Sequence, residues 1–134
     1  MRTAAEILAS SDTIAVVGAS RHEYKVAHTV PRQIMRHGWH VVPVNPSIDE
    51  LWGQHVYGSL EEIAFGIDLV NVFRPAEFTP DIARQAVAIG AKALWLQQDI
   101  ISSEAREIAI AGGLDYVENE CIAVVRAVHQ LSKL

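Results

Sequence analysis

The sequence predicts an α/β fold, with a central, mostly parallel five-stranded sheet covered by helices on both faces. Three observations carry this expectation. Short apolar runs rich in β-branched residues alternate with longer helical patterns along the whole chain. Capping signals and glycines punctuate the helical stretches at regular intervals. At 134 residues, half of them apolar, the chain can bury one proper core, so a single domain over residues 1–134 without a linker is expected.

The elements follow in order. Thr3-Ala-Ala-Glu6 has capping-box spacing and starts a short leading helix. Ile14 to Val17 is too short for a helix and forms a first buried strand, ending at Gly18. A second strand, His40 to Val44, is stopped by Asn45-Pro46, because proline restricts the residue before it and cannot donate to a ladder. The helix between them is expected to start near Thr29. Pro31 would cost about 3 kcal/mol in a helix interior but is tolerated in the first turn. A long loop from Gly18 to His28 is the consequence.

Further on, Ser59-Leu-Glu-Glu62 is another capping box, and Ile67 to Phe73 reads as a third strand. Thr79-Pro80-Asp81 supplies an N-cap, a proline at the first helical position and an acid facing the helix dipole, for a helix that stops at Gly90. Ala93 to Leu96 makes a strand, and Ser102 or Ser103 starts a helix that Gly112-Gly113 ends. Leu114 to Val117 is the last strand, and Ile122 to Leu131 the closing helix. Such alternation implies right-handed crossovers and a Rossmann-like three-layer sandwich. Ligands of such sheets lie beyond the carboxyl ends of the strands, at the switch point. Four segments are expected there: Gly18-Ala19-Ser20, Asn45-Pro46, Phe73-Arg74-Pro75 and Gln97-Gln98.

Composition narrows the function. The lone Cys121 rules out an internal disulfide framework, and Glu6, Ser10, Ser11 and Asp12 interrupt the opening stretch, which is therefore neither a signal peptide nor a membrane span. A cytoplasmic protein is expected. Residues 1–48 carry five Lys or Arg against three acids, and residues 49–134 six against thirteen, so the first part is +2 and the rest −7. The excess is local: Arg21, Lys25, Arg32 and Arg36 gather near the glycine loop with His22, His28, His37 and His40, and only Glu23 opposes them. Such an island fits a small polyanion better than nucleic acid, which needs a broader basic face, although a solvated helix face has the same charge pattern.

The dinucleotide fingerprint requires G-x-G-x-x-G and an acid about 20 residues later. Neither is present, since Gly18 is the loop's one glycine and strand two ends in Val44-Asn45-Pro46. No phosphate loop of the G-x-x-x-x-G-K-[ST] kind occurs, and Gly18-Ala-Ser-Arg-His22 does not meet the serine-hydrolase elbow. Ser20 is expected to cap the loop or contact a ligand rather than attack one.

The stretches "IAVVGAS", "VVPVNP", "LWGQHVYGSLEEI", "DLVNVFRP" and "ALWLQQDI", followed by the late cysteine, resemble in order and spacing the small stand-alone CoA-binding proteins with a Rossmann-like fold. Nearly the whole chain is covered. The same module resembles the CoA-binding domain of the succinyl-CoA synthetase alpha subunit and of ADP-forming acyl-CoA ligases. The resemblance implies that Gly18, Ala19 and Ser20 approach the phosphates of coenzyme A with backbone N–H groups and a hydroxyl, and that Arg21 and Lys25 neutralise charge. It further implies that Val44, Asn45 and Pro46, with Phe73, Arg74 and Pro75, wall the nucleotide and pantetheine, and that Gln97 occupies the next strand end. The chain departs from the resemblance at Glu118-Asn-Glu-Cys121, where many relatives place a basic residue before the cysteine.

Coenzyme A carries a pyrophosphate and a 3′-phosphate, a charge that a lone glycine turn does not balance without nearby cations. Trp39, Trp52 and Trp95 read as packing residues rather than base-stacking platforms. Phe73 reads equally as core or as wall. The expected function is binding of coenzyme A or an acyl-CoA without catalysis. The alternatives are an enzyme acting on a CoA thioester and an NAD(P)-binding redox sensor. His22-Glu-Tyr-Lys-Val-Ala-His28 lacks H-E-x-x-H spacing and no other cluster suggests a metal site. Cys121 and His129, eight residues apart, are too far separated along one helix for a nucleophile and base, so Cys121 is expected near the ligand but unactivated. No membrane, nucleic-acid or named protein partner is indicated.

Overall fold

Strands and helices alternate as expected in the computed structural model, which describes residues 1–134. Helix α1 (Ala4–Ser10) opens on a complete capping box, in which Thr3 Oγ1 accepts the Glu6 N–H at 3.2 Å and Glu6 Oε1 accepts the Thr3 N–H at 3.0 Å. Strand β1 (Thr13–Val17), helix α2 (Val26–Arg36) and strand β2 (His40–Val44) follow, then a small hairpin of β3 (Glu50–Leu51) and β4 (Gln54–His55). The remainder is β5 (Leu69–Val72), α3 (Thr79–Ala88), β6 (Ala93–Leu96), α4 (Ser103–Ala111), β7 (Asp115–Val117) and α5 (Ile122–Val128).

The main sheet has five parallel strands in the order β2-β1-β5-β6-β7. Alternate strand residues face opposite sides, and the two faces become two cores. Ile14, Val16, Leu69 and Trp95 pack with Ile7, Ile34 and Ile122, so α1, α2 and α5 cover one face. Ala15, Val70, Leu94 and Leu96 pack with Ile82, Ala86 and Ala109, so α3 and α4 cover the other. Asp68 ties the amino ends of the two central strands together. Its Oδ2 accepts the N–H groups of Asp12 and Thr13 at 3.0 Å each, and Lys92 Nζ lies 3.5 Å from Oδ1. Partial burial alone would raise the Asp68 pKa, but these donors outweigh it and hold the carboxyl below its ordinary range.

Several boundaries differ from expectation for identifiable reasons. Helix α2 begins at Val26 rather than near Thr29, which puts Pro31 inside the helix and shortens the preceding loop. Proline removes the donor that would serve the Ala27 carbonyl, but the Ser20 N–H takes its place at 3.2 Å. Thr79 is already helical, and its hydroxyl donates to the Ala76 carbonyl at 2.7 Å instead of capping; Ala76–Phe78 forms a preceding 3₁₀ turn. The Ser59 capping box is present, yet it closes only the 3₁₀ turn Leu60–Glu62. Helix α5 ends at Val128, short of Leu131. Gln130 adopts φ 52°, with Gln130 N–H donating to Ala127 O and Leu131 N–H to Arg126 O, a Schellman ending without glycine. The hairpin was unmarked because its two-residue turn is Trp52-Gly53, both at positive φ (54° and 71°), and tryptophan is no turn residue.

Candidate functional site

The chain leaves β1 towards β2 on one side and returns past it to β5 on the other. The connections after β1 and β5 therefore diverge to opposite faces, α2 to one and α3 to the other, and a crevice opens between them. A cavity of about 720 Å³ occupies this crevice. Of the expected site residues, Gly18, Ser20, Arg21, Lys25, Val44, Asn45, Pro46, Phe73 and Arg74 line it.

The β1–α2 loop is held by its own backbone. Gly18 sits at φ +89°, and a Cβ there would lie 2.8 Å from the Phe73 carbonyl oxygen, so only glycine lets the two strand ends meet. The Gly18 N–H donates to Val44 O at 2.9 Å, and Asn45 Nδ2 donates to Ala19 O at 2.9 Å. The buried His28 donates from Nδ1 to Ser20 O at 2.6 Å; a carbonyl only accepts, so the proton is on Nδ1. Ser20 Oγ accepts the His22 N–H at 3.1 Å.

These bonds correct one expectation. The N–H groups of Gly18 and Ser20 are engaged within the chain, whereas those of Ala19 and Arg21 have no acceptor in it. The side chain of Ala19 is fully buried in the core and does not line the cavity.

Beyond the loop, α2 starts without a cap. Lys25 occupies the N-cap position with no side-chain bond to the helix, the first turn has no acid, and the N–H groups of Val26 and Ala27 have no acceptor in the chain. The positive end of the helix dipole thus meets the cavity beside Arg21 and Lys25, neither of which forms an ion pair. Arg74 is likewise free of acids and places its guanidinium 4.4 Å from the centre of the Phe78 ring. Phe73 serves in both readings, packing against the first core and lining the cavity.

Part of the lining went unrecognised in the sequence. Ser47, Ile48 and Gly58 to Leu60 come from the connection after β2, Phe78 from the 3₁₀ turn before α3, and Asp81, Ile82 and Gln85 from α3 itself. The last four recur at helical spacing, a signal that also describes an ordinary amphipathic helix.

Other expected residues fall outside. Gln97 is buried and accepts the Ile122 N–H at 2.9 Å and Asn71 Nδ2 at 3.4 Å, while Gln98 is exposed; neither lines the cavity. The reason is strand order, since β6 is one place removed from the switch point. Pro75 is exposed beyond the rim. Cys121, expected near the ligand, instead precedes α5 half-buried against the first core and takes no part in the lining. Arg32 and Arg36 border a separate surface groove on α2 rather than this cavity. The tryptophans pack as expected: Trp39 donates to Leu8 O at 3.1 Å, Trp95 to Glu120 O at 2.8 Å, and Trp52 meets His28 edge-on. No helix is long and apolar enough to cross a membrane.

Comparison with known proteins agrees with this architecture. The chain is 38% identical over 123 residues to the uncharacterized protein YneT of Bacillus subtilis (strain 168), covering 92% of this chain and 91% of YneT. The solved structure of a hypothetical protein from Pyrococcus horikoshii OT3 superposes with a TM-score of 0.90 at 34% identity, covering 93% of this chain and 88% of that one. The ADP-forming acetate–CoA ligase I of Archaeoglobus fulgidus is 25% identical over 122 residues, 84% of this chain but 18% of the ligase. A family model described as CoA binding domain matches residues 12–127, and the chain belongs to that family.

Proposed function

We propose that this chain binds coenzyme A or an acyl-CoA in the switch-point cavity and performs no chemistry of its own. The observation that carries the proposal is the wall where β1 gives way to α2. An uncapped helix start, the free Arg21 N–H and the unpaired side chains of Arg21 and Lys25 converge on one cavity, a set suited to phosphate oxygens. Family membership supplies the ligand class. The binding-only part is supported by how the reactive groups are disposed: Ser20 Oγ accepts a backbone N–H, His28 Nδ1 holds a carbonyl, and Cys121 lies outside the lining. The strand ends also carry Val44-Asn45-Pro46 where NAD would require an acid.

Titration calorimetry of the purified chain against coenzyme A, acetyl-CoA, NAD and ATP tests the ligand. Coenzyme A is expected to bind tightest, and displacement of coenzyme A by an equal concentration of NAD would refute the assignment. Mass spectrometry after incubation with acetyl-CoA under reducing conditions tests the absence of chemistry. No acetyl adduct is expected on Cys121; an adduct lost together with turnover in Cys121→Ser would make the protein a thioester enzyme.

A further inference from the structure

The groove that Arg32 and Arg36 border encloses about 430 Å³ and is lined by Glu23, His28, Thr29, Arg32, Gln33 and Arg36, none of them apolar. It shares no lining residue with the switch-point cavity. The two are linked through His28, whose Nδ1 donates to the carbonyl of Ser20 in the cavity wall.

Helix stability alone does not account for this face of α2. His28, Arg32 and Arg36 follow at intervals of four and so stand one above the other, where like charges repel, and the helix carries no acid to offset them. Neither arginine forms an ion pair, although the chain as a whole is acidic at −5. The side chains of Thr29, Arg32, Gln33 and Arg36 make no hydrogen bond within the chain. Helical side chains lean towards the N-terminal end, which directs Arg36 back over Arg32 and Arg32 over Thr29 and His28. His28 is only 7% exposed, and with Nδ1 committed to Ser20 its Nε2 has no partner. The unpartnered side-chain atoms sealed from solvent are Trp52 Nε1 and Asn71 Oδ1, so His28 Nε2 remains reachable, and the groove is where His28 meets the outside.

We propose that this groove is a second anion site, separate from the switch-point cavity, which takes a dianionic oxyanion of the phosphate type between Arg32 and Arg36. The Thr29 hydroxyl and the Gln33 amide add neutral donors one turn apart. His28 takes up a proton from solvent as the anion enters: Nε2 becomes a donor to the oxyanion while Nδ1 keeps the Ser20 carbonyl. The groups facing the ring set the direction of this linkage. Arg32 and Arg36 oppose a further positive charge in the empty groove, Glu23 favours it, and Trp52 and Ser20 bring none. A bound dianion reverses the balance, so affinity rises as pH falls through the histidine range. The groove has room beside the oxyanion for the small organic part of a phosphomonoester.

The test is NMR titration at low ionic strength with sulfate, inorganic phosphate and glycerol 3-phosphate, with and without saturating coenzyme A, read at the Arg32 and Arg36 side-chain N–H groups and the His28 ring. Saturable shifts are expected with all three anions whether or not coenzyme A is present. Arg32→Gln and Arg36→Gln should each weaken binding about fivefold, the scale of an exposed charge-assisted contact, and Glu23→Gln should strengthen it. Sulfate, doubly charged throughout, should bind about threefold or more tightly at pH 6 than at pH 8. His28→Asn, whose amide can still donate to the Ser20 carbonyl, should lose that pH dependence; if this variant does not fold, calorimetry of the unaltered chain in two buffers of different ionisation enthalpy reads the proton directly. Tighter binding of glycerol 3-phosphate supports a phosphorylated small molecule as occupant, and tighter binding of inorganic phosphate supports the free ion. Absence of saturable shifts at millimolar anion, or their abolition by coenzyme A, overturns the separate site, and pH-independent sulfate binding overturns the role of His28. Failure of coenzyme A itself to bind overturns only the coenzyme A reading, because the groove shares no residue with the cavity.

Discussion

Ser20 donates its backbone N–H to the Ala27 carbonyl at 3.2 Å, and Ala27 is the residue whose helical partner Pro31 eliminates. The proline within α2 and the glycine loop before it are thus one device. An interior proline leaves a carbonyl unserved, the loop supplies the missing donor, and the loop is thereby pinned over the start of the helix. His28 reinforces it from the same turn by donating to the Ser20 carbonyl at 2.6 Å.

Replacing Pro31 by alanine tests that coupling. An interior proline normally costs about 3 kcal/mol, so the alanine variant of an unsupported helix would gain that much. Here the new N–H competes with Ser20 for a carbonyl already served, and buried ring atoms are lost. The expected stability change is within about 1 kcal/mol, accompanied by faster hydrogen exchange of the Ser20 amide. Slow Ser20 exchange in Pro31→Ala would show the two to be independent.

Gly18→Ala should be strongly destabilising. Its backbone at φ +89° is strained for any side chain, and the new Cβ would sit 2.8 Å from the Phe73 oxygen, a backbone atom that can move only if two central strands separate. A loss of about 2–3 kcal/mol in denaturant unfolding is expected, together with weaker coenzyme A binding. Full stability in the variant would mean that the strand ends do not meet this closely.

Lys25→Ala separates ligand charge from fold. Lys25 is exposed, makes no ion pair and contributes no side-chain cap to α2. Coenzyme A binding should weaken by about 1–3 kcal/mol, the scale of a charge-assisted hydrogen bond, with the melting temperature nearly unchanged. The deficit should shrink as salt is raised. Unaltered affinity at low salt would remove Lys25 from the site.

Asp68 predicts a pH dependence of stability. Its pKa in the folded chain lies below the ordinary value of 3.8, so the carboxylate stabilises the fold at all pH values above about 4. That contribution disappears as pH falls below 4 and through the folded-state pKa. Asp68→Ala should therefore lower stability by about 2 kcal/mol at pH 7, through loss of hydrogen bonds to a charged acceptor, and should flatten the acid limb of the melting-temperature profile. Parallel acid limbs in the two proteins would assign the loss to packing instead.

The sequence by itself determined the layered architecture and most of the element positions, because strand and helix periodicity, the Thr3 and Ser102 caps and the Gly90 and Gly113 stops are local properties of adjacent residues. It also singled out Gly18, Arg21, Lys25 and Asn45, since a lone glycine after a buried strand, a cluster of cations and an Asn-Pro stop are legible without coordinates. Tertiary structure alone decided the rest. Whether Pro31 could lie inside a helix depended on a donor from a loop residue six positions ahead of the helix start, and whether Gln97 could line the cavity depended on β6 being one strand away from the switch point. The α3 wall of the cavity was hidden for the same reason. Asp81 and Gln85 become a pair facing a cavity only when the chain crosses past β1 and sets α3 opposite the cations of the loop, and strand order is a property of the whole sheet that no local pattern encodes.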